Sequence, residues 1–416
     1  MAPSAQRTDL PTTQEEIEDA VSNIISQLSN KKGGSLLGSY KGGFVDSNLE
    51  NLPETTKKRF AKYNIDISQG YPERPPTEEI PVYLDEAEAI RSTPTPYIER
   101  GKGADPEKKA LFGAAKEIRH LTKHVGTEIV GLQLGDLNDK QKDELALLIA
   151  ERVVVFFKDQ DLSPQKQLEL GEYYGNVEKH AQQVHVPGYR GITVIWPNFL
   201  KKVGYQYNFK QTKTAPTSIT HSDLCHELQT PGITTLYNDA IPKVGGDTVW
   251  YSGYGAYDKL LPAFQKFLDG KTAIYRSAHQ YIDRENPLRG PKHIEREHPI
   301  IRTHPATGWK SLYVNRGMTV RIVGLEPDES RLILNYLFDV YEKNLDIQVR
   351  FNWQSTNPES GLATAALWDN RISQHSAVAI ETEELRHGTR VSALAEVPYY
   401  DPNSKSQREA LGLPLN

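Results

Sequence analysis

Between Glu128 and Val397 the chain passes through one short apolar segment after another, and this rhythm limits the folds open to it most. Glu128-Ile129-Val130-Gly131-Leu132-Gln133-Leu134 reads as a strand with Val130, Leu132 and Leu134 on one face. Val153-Val154-Val155-Phe156-Phe157 is an apolar run of strand length. Further β-like runs fall at Thr193–Trp196, Gly232–Asn238, Thr248–Tyr251, Trp309–Asn315, Val320–Val323, Gln348–Trp353, Thr364–Trp368 and Arg390–Val397. Helical patterns interrupt them. Asn138 caps an amphipathic helix reaching Arg152, and Ser163-Pro164 opens another with proline at its first position. Two more span Tyr257–Leu268 and Glu329–Asn344. Many short strands with helices outside predict a mainly β fold with flanking helices, a double-stranded β-helix or jelly-roll barrel. The chain has no dinucleotide-binding glycine fingerprint, no P-loop, no nucleophile elbow and no internal repeat.

Composition narrows the partners. The chain has 416 residues, 38% hydrophobic and 25% charged, enough for a large core. Its net charge of −5 comes from interspersed acids and bases, which argues against nucleic acid as a partner. The one cysteine, Cys225, excludes an intrachain disulfide and a cysteine-based zinc site. The first twenty residues lack the apolar segment of a signal peptide, and no apolar run approaches the ~18 residues of a membrane span. The C-terminal Leu-Pro-Leu-Asn carries no lipidation signal. The expectation is a soluble cytoplasmic protein that contacts no membrane, with a homo-oligomer left open.

Residues 1–110 differ from the rest. Thr13 to Leu28 has helical periodicity, with Ile17, Val21, Ile24 and Ile25 on one face. Asn30 to Gly43 is loop-like, and residues 64–108 are proline-rich without a sustained period. The expected division is an N-terminal extension over 1–110, packed on the core without chemistry of its own, and one catalytic domain over 111–416.

The chemistry gathers around His221-Ser222-Asp223, the only His-x-Asp in the chain. Two positions apart on an extended strand, the imidazole and carboxylate face one way. That is two thirds of a 2-His-1-carboxylate facial triad, which suits Fe(II) and leaves positions open for co-substrate and oxygen. Alone, the pair reads more readily as a surface His-Asp contact on a strand. His293-Ile294-Glu295 competes with it, but charged neighbours mark that stretch as a solvated loop. His375, after Trp368-Asp369-Asn370-Arg371, is the candidate second histidine; by itself it is a hydrogen-bonded histidine at a strand end. Arg386 and Arg390 follow eleven and fifteen residues later. Either could meet a carboxylate with its planar fork. Their spacing puts both on one face of a helix or of a strand, or merely on a polar turn. Gly245-Gly246-Asp247-Thr248 turns into a strand whose Thr248 hydroxyl could donate to the same carboxylate.

Taken together, His221-x-Asp223, Gly246-Asp247-Thr248, Trp368-Asp369-Asn370-Arg371, His375, Arg386 and Arg390 resemble the taurine dioxygenase family in order and spacing. The resemblance runs from about Val125 to Pro398. It takes in Asn315-Arg316-Gly317-Met318-Thr319 and Gln348-Val349-Arg350-Phe351-Asn352-Trp353. It implies an Fe(II)- and 2-oxoglutarate-dependent dioxygenase that uses O2. His221, Asp223 and His375 would be the iron ligands. Arg386 and Thr248 would hold the distal carboxylate of 2-oxoglutarate. Arg390 and His180 would meet the substrate's anionic end, and Leu224 and Met318 would line the pocket. The implied reaction turns 2-oxoglutarate into succinate and CO2 while an aliphatic C–H of the substrate is oxidised.

The pocket departs from the family's pattern. Gln183 stands in place of a tyrosine, Met318 in place of a phenylalanine, Thr220 in place of a tryptophan, and Cys225-His226 and Ile380-Glu381-Thr382-Glu383 are unlike their counterparts. The expected substrate is therefore a small anionic molecule. An alkylsulfonate leads, and a carboxylate or amino acid of specialised metabolism is the alternative. Further off stand a jelly-roll binding protein with a degenerate triad, and a hydrolytic zinc site on the same three ligands.

Overall fold

The computed structural model describes residues 49–197, 220–355, 358–378 and 384–414, together with 19 and 43–44. The helix expected at Thr13–Leu28 lies outside this set apart from Asp19, and so does Ile380-Glu381-Thr382-Glu383. In chain order the strands are β1 (Gly43–Phe44), β2 (Glu73–Arg74), β3 (Glu117–His120), β4 (Thr127–Val130), β5 (Val154–Gln160), β6 (His185–Val186), β7 (Tyr189–Ile195), β8 (Pro231–Ala240) and β9 (Thr248–Ser252). Then come β10 (Thr272–Arg276), β11 (Glu295–Pro299), β12 (Ile301–Thr303), β13 (Lys310–Leu312), β14 (Thr319–Ile322), β15 (Gln348–Phe351), β16 (Ala363–Asp369), β17 (Ser373–Ala377) and β18 (His387–Leu394). The fold is mainly β.

A ten-stranded mixed sheet runs β1-β2-β6-β7-β18-β8-β16-β5-β4-β3, with only β4 and β5 parallel. A three-stranded sheet, β15-β9-β17, packs on it. Period-2 alternation on the large sheet supplies two cores. Val155, Phe157, Leu367 and Tyr237 point to one side, where they meet Leu145, Leu148, Ile149 and Leu170 of the helices Asp139–Arg152 and Pro164–Tyr174. Phe156, Ala366, Trp368 and Leu236 point to the other side, against Trp250, Val349, Phe351 and Trp353. There Phe156 stacks on Phe351 with ring centroids 3.7 Å apart, and Trp250 sits 5.8 Å from both Trp353 and Trp368. Burial of each such aromatic side chain is worth roughly 2–3 kcal/mol. These rings fix the spacing between the two sheets at the end where β17 carries His375.

Local rules hold where the sequence is strongest. Asn138 makes a full capping box with Gln141, and the Ser163 hydroxyl accepts from Lys166 N–H. The strand expected at Glu128–Leu134 stops at Val130 and turns into a short 3-10 segment, Leu134–Asp136. The helix expected at Tyr257–Leu268 is two, Gly253–Asp258 and Pro262–Leu268, because Pro262 cannot continue the first and instead starts the second. The loop expected around His293 is the start of β11 from Glu295 on. Among the described residues no helix is long and apolar enough to cross a membrane.

The N-terminal region is woven into this frame. β1 and β2 extend the large sheet beyond β6. The buried Arg59 donates to Asp239 Oδ2 and to Thr389 Oγ1, each at 3.0 Å, and to Leu162 O. Tyr71 O–H lies 2.7 Å from His387 Nε2, and His387 Nδ1 lies 2.6 Å from Asp239 Oδ1. Glu99 accepts from Arg371 Nη1 at 2.6 Å.

Candidate active site

His221 and His375 face each other in an isolated antiparallel bridge, joined by His221 N–H to His375 O at 3.1 Å and His375 N–H to His221 O at 2.8 Å. Their rings lie 4.5 Å apart. β17 owes its place to β9, where His375 pairs with Trp250. The expectation of an extended strand through Asp223 needs correcting. His221 has a single bridge, and the chain turns at Asp223, passing Leu224 at φ 45°. A left-handed leucine is strained, and it persists because its neighbours are fixed. Ser222 Oγ–H donates to Ser373 O at 2.5 Å, and Asp223 N–H donates to Asn370 Oδ1 at 3.1 Å. Asn370 is itself held by Trp368 Nε1–H and by its own bonds to Thr234 and Gly232. The turn, not a strand, swings the Asp223 carboxylate back toward the two imidazoles.

The three side chains converge. One ligand atom from each of His221, Asp223 and His375 lies within 4.8 Å of the others. His221 Nε2 is 3.5 Å from Asp223 Oδ1, and His375 Nε2 is 4.0 Å from Asp223 Oδ2. Burial works against the Asp223 charge, but Arg390, His375 and His221 hold the carboxyl well below its usual range. Burial pushes His375 down to about 3, so near neutrality it is an uncharged imidazole, the form that binds metal. Asp223 Oδ2 is buried without a hydrogen-bond partner among the described residues. Two imidazoles and a carboxylate with an orphaned buried oxygen are a fitting donor set for a divalent first-row metal.

The backbone settles the choice between helix and strand: Arg390 lies within β18 and Arg386 directly precedes it. Arg386 is buried. Arg390 Nη1–H donates to Asp223 Oδ1 at 3.1 Å. Thr248 opens β9, buried, and its Oγ1 accepts from Trp353 Nε1–H at 2.9 Å, which leaves its own proton to donate. Met318 Sδ lies 3.3 Å from Cys225 Sγ, behind the Asp223 turn.

His180 is placed differently from the expectation. It is buried, and its Nδ1 accepts from Gln182 N–H and Gln183 N–H at 3.1 and 3.0 Å. The proton is therefore on Nε2, which faces His279 Nε2 at 3.2 Å. Burial, then His279, push His180 well below the ordinary histidine range. In this structure His180 meets His279 and its own loop. The sequence reading passed over His279, and also Asn370 as the support of Asp223. Asn370 sits inside the quoted Trp-Asp-Asn-Arg run, whereas nothing in the local sequence marks His279.

The β framework brings two imidazoles and a carboxylate together beside Arg390, a donor set that could hold a divalent metal. Comparison with known proteins makes the class specific. Residues 117–392 match the family described as taurine catabolism dioxygenase TauD, TfdA family. A Schizosaccharomyces pombe protein, provisionally named an alpha-ketoglutarate-dependent sulfonate dioxygenase, is 36% identical over 324 residues, covering 76% of this chain and 78% of its own. The Saccharomyces cerevisiae alpha-ketoglutarate-dependent sulfonate dioxygenase is 30% identical over 385 residues, 86% of this chain and 90% of its own. A crystal structure of a taurine dioxygenase from Burkholderia xenovorans superposes with a TM-score of 0.57 at 26% identity, covering 69% of this chain and 92% of that one. The chain belongs to the TauD/TfdA family of non-haem Fe(II)- and 2-oxoglutarate-dependent dioxygenases, which take Fe(II), 2-oxoglutarate and O2.

Proposed function

We propose that this enzyme oxidises an aliphatic C–H of an alkylsulfonate, with His221, Asp223 and His375 as the iron ligands. The observation that carries the reading is the convergence of those three side chains beside Arg390. The names of the two yeast relatives support the sulfonate. The sheets are taken to close as a jelly-roll barrel, with residues 1–110 as the extension and 111–416 as the catalytic domain; the family match from residue 117 supports that division. A cytoplasmic location belongs to the same reading, in keeping with a single unpaired cysteine.

Each residue has a task. When bound, Fe(II) supplies the chemistry that turns 2-oxoglutarate into succinate and CO2 and hydroxylates the substrate. Arg386 grips the distal carboxylate of 2-oxoglutarate with its fork, and the Thr248 hydroxyl donates to the same group. Arg390 spends one N–H on Asp223 and has others for the sulfonate. His180 is assigned the second contact with that anion, its Nε2–H exchanging His279 for the substrate. Leu224 and Met318 form the pocket wall. Trp368, 5.0 Å from the His375 ring, screens that ligand from water. Hydroxylation at the carbon bearing sulfur would release sulfite and leave an aldehyde.

The test is a substrate panel scored by succinate formation with Fe(II), ascorbate and O2. It contains taurine, linear alkylsulfonates, matched carboxylates and amino acids, and neutral sulfones. Turnover of sulfonates with sulfite release is expected. Turnover of neutral compounds only would remove the anion from the reading and leave the iron chemistry standing.

A further inference from the structure

The N-terminal arm, outside the family-matched residues, sends one side chain into the surroundings of the site. The helix Leu84–Ala89 is pinned to the segment carrying His279: Leu84 N–H donates to Ile282 O, and Ile282 N–H to Val82 O, both at 2.9 Å. Leu84 and Ala87 pack on Tyr281 and Ile294, and the Arg284 guanidinium lies over the Tyr83 ring, 3.7 Å from its centroid. Arg91 comes two residues after the helix, past its C-cap Ile90. Its guanidinium spans two carboxylates, with Nη2 2.7 Å from Glu178 Oε1 and Nη1 3.1 Å from Glu227 Oε1, and Nη2 also donates to Lys179 O. Glu178 lies two residues before His180. Glu227 closes the turn that begins at Asp223, through its N–H to Leu224 O.

Both carboxylates are buried. A buried carboxylate demands a cation, and when its partner is removed it draws on whichever remains. For Glu178 that other cation is Arg390. Glu178 N–H donates to Ser392 O at 2.8 Å, which seats Glu178 against β18 two residues beyond Arg390, and the Arg390 charge is a through-space influence on it beside the direct contact from Arg91. Arg390 therefore stands between three claims: Asp223, Glu178 and the incoming anion.

We propose that Arg91 is a positioning residue for the substrate's anionic end, engaging Glu178 and Glu227 so that the Arg390 guanidinium is left for that anion. This rests on Arg390 being the anion anchor. It gives the extension a part in substrate binding and predicts that the arm tunes affinity for the substrate without touching 2-oxoglutarate.

The test uses the full chain loaded with Mn(II) and N-oxalylglycine, titrated calorimetrically with pentanesulfonate, so that binding is read apart from turnover. Arg91→Met should weaken pentanesulfonate at least tenfold and leave N-oxalylglycine affinity within twofold. Arg91→Lys should lose an intermediate amount, because one ammonium cannot bridge two carboxylates as the fork does. Arg91→Met with Glu178→Gln, which removes the acid together with its partner, should return to within threefold of the native affinity. Unchanged pentanesulfonate affinity in Arg91→Met, an equal loss for N-oxalylglycine, or a double variant as weak as the single one would each overturn the proposal in favour of a mere brace. Should Arg91→Met fail to fold, the double variant decides: near-native affinity supports the proposal and a tenfold loss overturns it. Arg390→Ala separates the two readings. If it leaves pentanesulfonate affinity unchanged, the anchor falls and this proposal with it. If it weakens binding while Arg91→Met does not, only Arg91 is misassigned.

Discussion

Asn370 supports the candidate metal centre without facing it. Its Oδ1 takes the N–H of Asp223 and the indole N–H of Trp368, and its amide donates to Thr234 Oγ1. Asn370→Ala strands two buried donors, at about 1–3 kcal/mol for each unpaired group. We expect a destabilisation of about 2–4 kcal/mol in urea unfolding, and, as the Asp223 turn loosens, a 10–100-fold fall in Mn(II) affinity, in line with the usual effect of supporting groups around metal ligands. Loss of stability with native metal affinity would show that the turn holds its shape unaided. Arg386 makes a different prediction. Arg386→Ala removes a charge-assisted contact worth about 2–5 kcal/mol, so the 2-oxoglutarate dissociation constant should rise at least thirtyfold while metal binding persists. An unchanged constant means another cation holds the co-substrate.

At the scale of elements, β18 carries the most. Between its two arginines lies Gly388, where an added Cβ would sit 2.3 Å from Asn238 Oδ1 and 2.8 Å from Tyr237 O on β8. The register between β18 and β8 already shifts beside it. Gly388→Ala should push the strands apart at an overpacking cost of about 1–3 kcal/mol and displace both guanidinium groups. Weaker binding of 2-oxoglutarate and of substrate together, read by calorimetry, is expected; a change in only one of them would mean that β18 does not move as a unit. β18 also shows what the sequence could reveal. Its apolar alternation was legible, as were β5, β8, β9, β16 and the capped helix Asp139–Arg152, because a buried face imposes a period. β11 was not. Its residues Glu295, Arg296 and Glu297 are charged and none of them is buried, so it read as a loop. The convergence of His221, Asp223 and His375 was legible from the family resemblance more than from residue types and spacing, which alone fitted ordinary surface and strand-end histidines. The turn that aims Asp223 was not, because a left-handed Leu224 is imposed by Ser373 and Asn370, which the fold brings from far along the chain. Arg91, Glu178 and Glu227 were illegible for the same reason: three scattered charges become a cluster only when the arm is seated.

Across the whole molecule, buried histidines set a pH limit. Burial pushes both His279 and His298 down to about 4, and His298 Nε2 lies 2.8 Å from Glu227 O. In the unfolded chain each takes a proton near pH 6.5. A group depressed in the folded state contributes fully above its unfolded pKa, and that contribution is lost as pH falls toward the folded one. Stability of the metal-free protein should therefore drop between pH 6.5 and about 4, by about 1.4 kcal/mol per pH unit for each such histidine. Urea unfolding at pH 7, 6 and 5 checks this, and His298→Gln, which keeps a donor for Glu227 O, should flatten the slope. A slope unchanged by that substitution would place the acid sensitivity elsewhere.

The seating of the arm also orders events in time. Arg59 and Tyr71 leave the ribosome early, yet Thr389 and His387, the groups they bond, are made more than 300 residues later. Phe60 and Tyr71 share their core mainly with Val177, Val186, Ile192, Val194 and Trp196, but until β18 pairs with β8 that core lacks Val391 and the polar anchors Thr389 and His387, and closing so long a loop is slow. The nascent chain must carry this stretch without its last anchors until β18 is made, which makes the arm a natural target for a chaperone during translation and an early place for a protease to cut a stalled intermediate.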